Sequence, residues 1–492
     1  GCSEQDVLRS VDSVERQIYP NWTLSLVAQS PAAAPLPAIK AVPTQSSWKM
    51  AIASAAGDFL VPLRAGDQLS AGALLRYAEA VQAEPETRII FGDQDAIDAA
   101  GTRHNPWFKP RWNEEYFLAQ DYLSDAVAVR TQAAHQAIEG LELEERATAY
   151  DLVMRIARNS GAIVHAPYVT THVRTDLRSE NQAERIKVVG AHLAGTGAEA
   201  WAGPFGTVKV SWPLPRHHPM VSIIIPTRDK VELLRPCIES VLAKTNYGPF
   251  EVLIVDNDSV EERTRAFLAG FASHPQIRVL PYAGAYNFSA INNFAVREST
   301  GPYICFLNND TEVVEKEWLT EMMRQAIRPL IGAVGAKLLY TDGTIQHAGV
   351  VVGMGDAAGH AHRNLPNKES GYFSQVHAAQ FVTAVTGACL LVHKQKFLGV
   401  HGFDEEGLAV AYNDVDLCLK LERAGWRNVY VPHAVLIHHE SKSRGKDHSP
   451  GQIDRYRREL KVFQERWGTE TYNDPLLNPN LERSSETFVI RL

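Results

Sequence analysis

Cysteine is scarce in this sequence and poorly placed for cross-linking. The five cysteines, Cys2, Cys237, Cys305, Cys389 and Cys418, are scattered over 492 residues, are odd in number and form no CxxC pair. That excludes a disulfide framework or a clustered zinc site and implies a reducing, cytosolic compartment. No stretch approaches the roughly 20 apolar residues that span a bilayer, and no signal peptide opens the chain. Gly1 leads straight into a helix-like segment with no strand before it, so a truncated N-terminus is expected. Positive charge is also short, with 49 Lys and Arg against 57 Asp and Glu, a net charge of -8 and a pI of about 6.2. This balance excludes broad nucleic-acid binding, while a local cation or a bound metal could still hold a small anion. No G-x-G-x-x-G follows the clearest strand, which argues against a dinucleotide oxidoreductase. The turn Pro226-Thr-Arg-Asp229 also lacks the Gly-rich loop of a nucleotidyltransferase.

The chain does have length for two domains and apolar runs of strand size. Val221-Ser-Ile-Ile-Ile-Pro226, Phe250-Glu-Val-Leu-Ile-Val255, Ile277 to Leu280 and Tyr303-Ile-Cys-Phe-Leu307 are short and rich in β-branched residues, and they read as buried parallel strands. Helical periodicity fills Val231 to Lys244, Glu261 to Ala272 and Ala290 to Ser299 between them. Such alternation implies α/β architecture with a doubly wound, mostly parallel sheet, and ligands at the carboxyl ends of its strands. The polar residues just past those ends are Thr227, Arg228, Asp256, Asp258, Asn308 and Asp310.

Three groups of residues there carry chemistry. Asn308-Asn309-Asp310 presents a carboxylate in a polar turn, suited to a hard divalent cation such as Mg²⁺ or Mn²⁺ or, more plainly, to capping the next element. Asp414 and Asp416 head an amphipathic helix, where one carboxylate is structural and the other can serve as a general base. His438-His439-Glu440-Ser441 offers imidazole to a metal, and the polar stretch Lys442 to Gly445 suits a loop over phosphates. A solvated turn is the plainer reading of that pair.

Taken in order, Val221 to Pro226, Val255-Asp-Asn-Asp-Ser259, Leu307-Asn-Asn-Asp-Thr311, Val385-Thr-Gly-Ala388, Gly402-Phe-Asp-Glu405, Asn413-Asp-Val-Asp-Leu-Cys418 and His438-His-Glu-Ser441 resemble the family 2 glycosyltransferases, which have the GT-A fold. Within that family they look like the branch that builds bacterial surface polysaccharides, including rhamnosyltransferases. The resemblance implies a nucleoside pocket at Pro226, Thr227, Arg228, Asp256 and Asp258, with Asn308 and Asn309 on the nucleotide. It implies metal held by Asp310 and His438, with His439 as the alternative, and Asn308 opening the metal motif where a carboxylate is usual. Asp414 matches the catalytic base and Asp416 its structural neighbour. His347, Thr386, Gly387, Asp416 and Arg444 would border the donor sugar or acceptor, and His360, His362 and Arg363 sit in a Gly-rich loop that either reaches the acceptor or is simply solvated. The implied activity is inverting transfer from a nucleotide sugar, dTDP-rhamnose or a UDP-sugar, to an oligosaccharide or lipid-linked glycan. A non-catalytic glycan-binding scaffold is the alternative.

The first half echoes the second. Trp22-Thr-Leu-Ser-Leu-Val27 follows the pattern of Phe250 to Val255, Gly57 to Leu63 that of Gly301 to Leu307, and Tyr150 to Arg155 that of Val415 to Lys420. This repeat implies two tandem GT-A domains: a degenerate, non-catalytic copy over 1–205, a linker over 206–219, a catalytic domain over 220–450, and a C-terminal helix and tail over 451–492. In the copy, Ala28 falls on Asp256, Arg64 on Asn308, Gly66 on Asp310, with Asp67 one step beyond the metal position, and Ala149 on Asp414. The helix Gln452 to Trp467 is basic and aromatic, and it either packs on the domain or makes a peripheral contact with the inner membrane face or an assembly complex.

Overall fold

The computed structural model describes residues 3–27, 43–139, 149–159, 161–177, 181–439 and 450–491. They form two compact units. The first comprises Gly1–Asn113, Gln120–Thr196 and Asn478–Asn480, and the second Glu114–Ala119, Gly197–Leu477 and Leu481–Leu492.

The second unit is built on a ten-stranded mixed sheet. Its main strands are β1 (Val221–Thr227), β2 (Phe250–Asp256), β3 (Ile277–Pro281), β4 (Tyr303–Leu307), β5 (Thr311–Val313), β6 (Ile331–Leu339), β7 (Cys389–His393) and β8 (Arg427–His438). They lie in the order β3-β2-β1-β4-β7-β6-β8-β5. The four apolar runs of the sequence are β1 to β4, and they pair in parallel. Ile223, Ile225, Val252, Ile254, Cys305 and Leu307 are buried in one core with helix α1 (Val231–Lys244). Each fully buried aliphatic side chain there contributes about 1.5–3 kcal/mol. The chain steps outward from β1 to β3 and returns beside β1 as β4, so the order reverses between β1 and β4. Ligand crevices form at such a point.

Beyond β4 the sheet departs from the parallel pattern. β7 runs antiparallel to both β4 and β6, β8 is parallel to β6, and β5 is antiparallel to β8. Ile345–His347 adds antiparallel to β6. The linker expected at 206–219 is in part a hairpin. Val208–Ser211 pairs antiparallel with Glu199–Ala202, and the Gly203 N–H donates to the Thr207 carbonyl at 2.8 Å to close the turn.

The first unit carries a six-stranded sheet in the order Phe59–Leu60, Val127–Arg130, Thr87–Ile97, Ala162–Val173, Gln68–Leu69, with Arg103–Trp107 antiparallel on Thr87–Ile97. Order and strand sense repeat β4-β7-β6-β8-β5 with Ile345–His347 on β6. Ahead of this sheet stand helix Glu4–Glu15 and a two-residue parallel pair, Leu26–Val27 with Thr44–Gln45.

Candidate active site

The site of the second unit begins where β1 and β2 end side by side, with Thr227 paired to Asp256. Pro226 is buried in β1, while Arg228 emerges exposed just beyond it. The two following loops are stitched together by short polar side chains. Asp229 Oδ1 accepts the N–H groups of Val260 and Glu261 at 2.8 Å each, and Ser259 Oγ accepts the Asp229 N–H at 2.8 Å. Asp256 Oδ1 accepts the Ser259 N–H at 3.1 Å, and Asp258 Oδ2 the Gly284 N–H at 2.9 Å. The buried Asn257 amide donates to the carbonyls of Tyr282 and Gly284. Asp229, Lys230 and Asp258 all take left-handed backbone, a conformation that Asp tolerates better than most residues. Sequence reasoning missed Asp229, Asn257 and Ser259, although short Asp, Asn and Ser side chains in a turn are the signal for such loop-binding bonds.

The turn after β4 is tied in from three sides. The Asn309 amide donates to Thr227 Oγ1 at 2.9 Å, in the buried interior. The Asn308 N–H donates to the Ala388 carbonyl at 3.0 Å. Asp310 precedes β5, whose Thr311 pairs with His438 on β8. His438 Nε2 therefore lies 3.1 Å from Asp310 Oδ1 and 3.3 Å from the Asn308 amide nitrogen. His438 Nδ1 is buried without a hydrogen-bond partner. Successive strand residues face opposite ways, and His439 accordingly turns to Glu312 Oε1 at 2.9 Å while its N–H donates to the Asp310 carbonyl. The two histidines are thus not equivalent, and it is His438 that joins Asp310.

Asp414 stands in the first turn of α2 (Asn413–Arg423) and is partly buried. Its Oδ2 accepts the Gly387 N–H at 2.7 Å, and its Oδ1 the Val415 N–H at 2.8 Å. Burial pushes its carboxyl upward, against the pull of these N–H groups and the Thr386 hydroxyl. Gly387 leaves little room, since a Cβ there would lie 3.4 Å from the Asp414 Cβ. Just before α2, Tyr412 takes φ 60°, ψ 5°, an outlier for a bulky residue that costs of order 1–3 kcal/mol and persists only where its surroundings hold it.

Other expected site residues have different surroundings. Asp416 is fully buried, and its carboxylate takes Arg466 at 2.8 Å, the Trp467 indole N–H at 3.0 Å and Lys420 at 2.9 Å. It anchors the C-terminal helix α3 (Pro450–Trp467), in keeping with the structural role that the resemblance implies. His347 is fully buried, with Nδ1 3.0 Å from His360 Nδ1 and Nε2 unpartnered. Burial, then His360 and His438, hold it neutral. His362 is not a solvated loop residue: it is buried against Phe488, and burial lowers it to about 3. Arg363 donates to the Tyr340 hydroxyl at 2.7 Å. Arg444, with Glu440, Ser441 and Lys442, lies outside the described residues. Phe463 and Trp467 are buried, so much of the aromatic face of α3 expected at a membrane is used in packing. Among the described residues no helix is long and apolar enough to cross a membrane.

In the first unit the strand pairing shifts the expected correspondence by one residue. Gln68 pairs with His172 as Thr311 pairs with His438, so Asp67, not Gly66, holds the place of Asp310. Asp67 is buried and its Oδ1 accepts the Arg174 N–H at 2.8 Å, while His172 Nδ1 lies 2.6 Å from Asp95. Ala149 opens the helix Ala149–Ala157 at the place of Asp414, and Asp151 pairs with Arg155 as Asp416 pairs with Lys420. Ala28 lies outside the described residues.

Residues 222–351 match the family model described as glycosyl transferase family 2. An uncharacterised protein of Sinorhizobium fredii is 37% identical over 98% of this chain and 57% of its own length. The O-antigen biosynthesis protein RfbC of Myxococcus xanthus is 35% identical over 98% of this chain and 39% of its own. This chain thus spans well under two thirds of either relative. An N-acetylglucosaminyl-diphospho-decaprenol L-rhamnosyltransferase of Mycobacterium tuberculosis is 27% identical over 43% of this chain and 75% of its own length.

Proposed function

We propose, from the match of residues 222–351 to the family 2 glycosyl transferase model, that the second unit moves a sugar from a nucleoside diphosphate to a hydroxyl of a growing cell-surface glycan, with inversion and with a divalent metal. One observation carries the reading. The dipeptide Gly387–Ala388 hydrogen-bonds Asp414 through one residue and the Asn308 turn through the other. A proton acceptor and a leaving-group site are thereby held against a common piece of backbone.

Asp310 and the His438 ring are the residues that would hold Mg²⁺ or Mn²⁺, with the Asn308 amide beside them. The pair supports this by converging at 3.1 Å, with His438 Nε2 facing the Asp310 carboxylate. Among the described residues no three His, Cys, Asp or Glu side chains gather as a complete metal cage. An ion held there would be completed by substrate phosphates and water, as Mg²⁺ commonly is. When bound, the metal supplies charge neutralisation for the departing diphosphate. Pro226, Thr227, Arg228, Asp256 and Asp258 line the nucleoside side, and Thr386 and Gly387 the acceptor side. The acceptor oxygen bonds to the anomeric carbon as its proton passes to Asp414. The bond from that carbon to the diphosphate breaks on the opposite face, and its electron pair leaves with the nucleoside diphosphate. One displacement inverts the centre, through a transition state with the oxocarbenium character familiar from glycoside cleavage.

The names of the relatives support a rhamnosyl donor and an O-antigen-like or lipid-linked glycan as acceptor, and dTDP-rhamnose or a UDP-sugar is the donor proposed here. The first unit serves as a non-catalytic copy with a structural, acceptor-binding or assembly role. Thermal shift with a panel of nucleotide sugars, with and without Mn²⁺, tests the whole. Stabilisation that needs both metal and Asp310, lost in Asp310→Ala, is the expected result. If no nucleotide sugar stabilises the protein and none is turned over, the glycan-binding scaffold becomes the better account.

A further inference from the structure

We propose that the C-terminal helix α3 is part of the transfer machinery as a positioning element, and that Glu459 is the residue through which it sets the base; this rests on the reading of Asp414 given above. The backbone leading to Asp414 is held by α3 at each step. Glu459 Oε2 accepts the Ala411 N–H at 2.6 Å, three residues before the base. The Tyr412 ring lies flat on Phe463, with centroids 4.8 Å apart and planes 8° apart, and its hydroxyl meets that of Tyr456 at 2.7 Å. Two residues after the base, Asp416 receives Arg466 and Trp467. Arg466 also binds Asp404. Asp414 is therefore bracketed on both sides by one helix that makes none of its own carboxylate bonds.

Tyr412 makes the bracket consequential. Its left-handed backbone aims the first turn of α2, and with it Asp414, at Gly387. A tyrosine does not keep that conformation unaided. Glu459 is only 4% exposed, a site where a carboxylate is costly unless bonded, and burial raises its carboxyl against the pull of the Ala411 N–H. Its bond fixes the residue preceding Tyr412, and the Phe463 and Tyr456 contacts fix the Tyr412 side chain. Removal of Glu459 frees the strained residue to relax and carries Asp414 off the acceptor oxygen.

The experiment compares wild type, Glu459→Ala and Glu459→Gln as full chains. It measures release of nucleoside diphosphate from dTDP-rhamnose and UDP-sugars with Mn²⁺, with a lipid-linked N-acetylglucosaminyl diphosphate as acceptor and with water alone, and donor affinity by calorimetry. A misplacement of the base of about 1 Å costs on the order of 100-fold in rate. Glu459→Ala should lose about that factor in kcat with donor affinity unchanged, and its acidic limb in the pH profile should move with the altered surroundings of Asp414. Glu459→Gln keeps an oxygen for the Ala411 N–H and should recover most of the rate. A kcat within twofold of wild type in Glu459→Ala overturns the inference, as does a Glu459→Gln variant equally impaired with parallel loss of donor affinity. Should Glu459→Ala not fold, Glu459→Gln and Tyr456→Phe keep the question open to decision, since wild-type kcat and pH profile in Tyr456→Phe together with an impaired Glu459→Gln also overturn it. A wild type that releases no diphosphate from any donor overturns the transferase reading itself, and this inference with it.

Discussion

At the scale of single residues, the site depends on a few side chains whose partners are already set. Asp414→Asn keeps the shape but cannot take a proton, and turnover should fall by about 10²–10⁴-fold while nucleotide binding persists, which steady-state kinetics alongside calorimetry would separate. As the proposed base, Asp414 must be ionised to act, and burial raises its carboxyl. Activity should therefore fall on acidification through a limb lying above the ordinary carboxylate range, measurable in a pH–kcat profile. Asp474 provides a check on stability. Burial pushes its carboxyl up to about 6, although it accepts the N–H groups of Val352 and Leu476. The folded protein then binds a proton that the unfolded chain has released between about pH 4 and pH 6, so stability is lost as pH rises through that window. The shift amounts to at most about 3 kcal/mol. Denaturation across that range should show a steeper decline in wild type than in Asp474→Asn. The carboxylates at Asp256, Asp310 and Asp414 were legible because each stands in a polar turn or first helical turn next to an apolar or amphipathic run. Asn257, Asp229 and Ser259 were not, because their bonds to neighbouring loops depend on which strands lie side by side.

At the scale of elements, α3 and α2 behave as one piece. Asp416→Ala would leave Arg466, Lys420 and the Trp467 indole without their shared acceptor. Removing one partner of a buried charge pair costs about 3 kcal/mol, so calorimetry should show the second unit melting earlier and limited proteolysis should show cleavage near α3. Its aromatic and basic residues read equally well as a membrane helix or a packed one. Periodicity says that a face is apolar, and only tertiary structure says what covers it. The mixed half of the sheet was hidden for a similar reason. β7 and β8 are as apolar as the parallel strands, so composition cannot tell their direction.

At the scale of the molecule, two sheets of the same order and sense stand in one chain. Asp67 and His172 keep the places of Asp310 and His438, but each is engaged with its own neighbours. In the full chain, Asp67→Ala should leave metal-dependent stabilisation by a nucleotide sugar unchanged, whereas Asp310→Ala should abolish it, and a thermal-shift comparison would show which. The order of apolar runs, the carboxylates that follow them and the repeat between halves were set by sequence alone, because burial periodicity and turn chemistry are local. Tertiary structure decided that His438 rather than His439 meets Asp310, because Asp310 sits in the turn before β5 and only the packing of that turn against β8 sets which ring it faces. It decided that Asp416 is an anchor, because only the packed α3 brings Arg466 and Trp467 to it. It also moved the counterpart of Asp310 from Gly66 to Asp67, because register between distant strands is a property of the paired sheet and not of either segment.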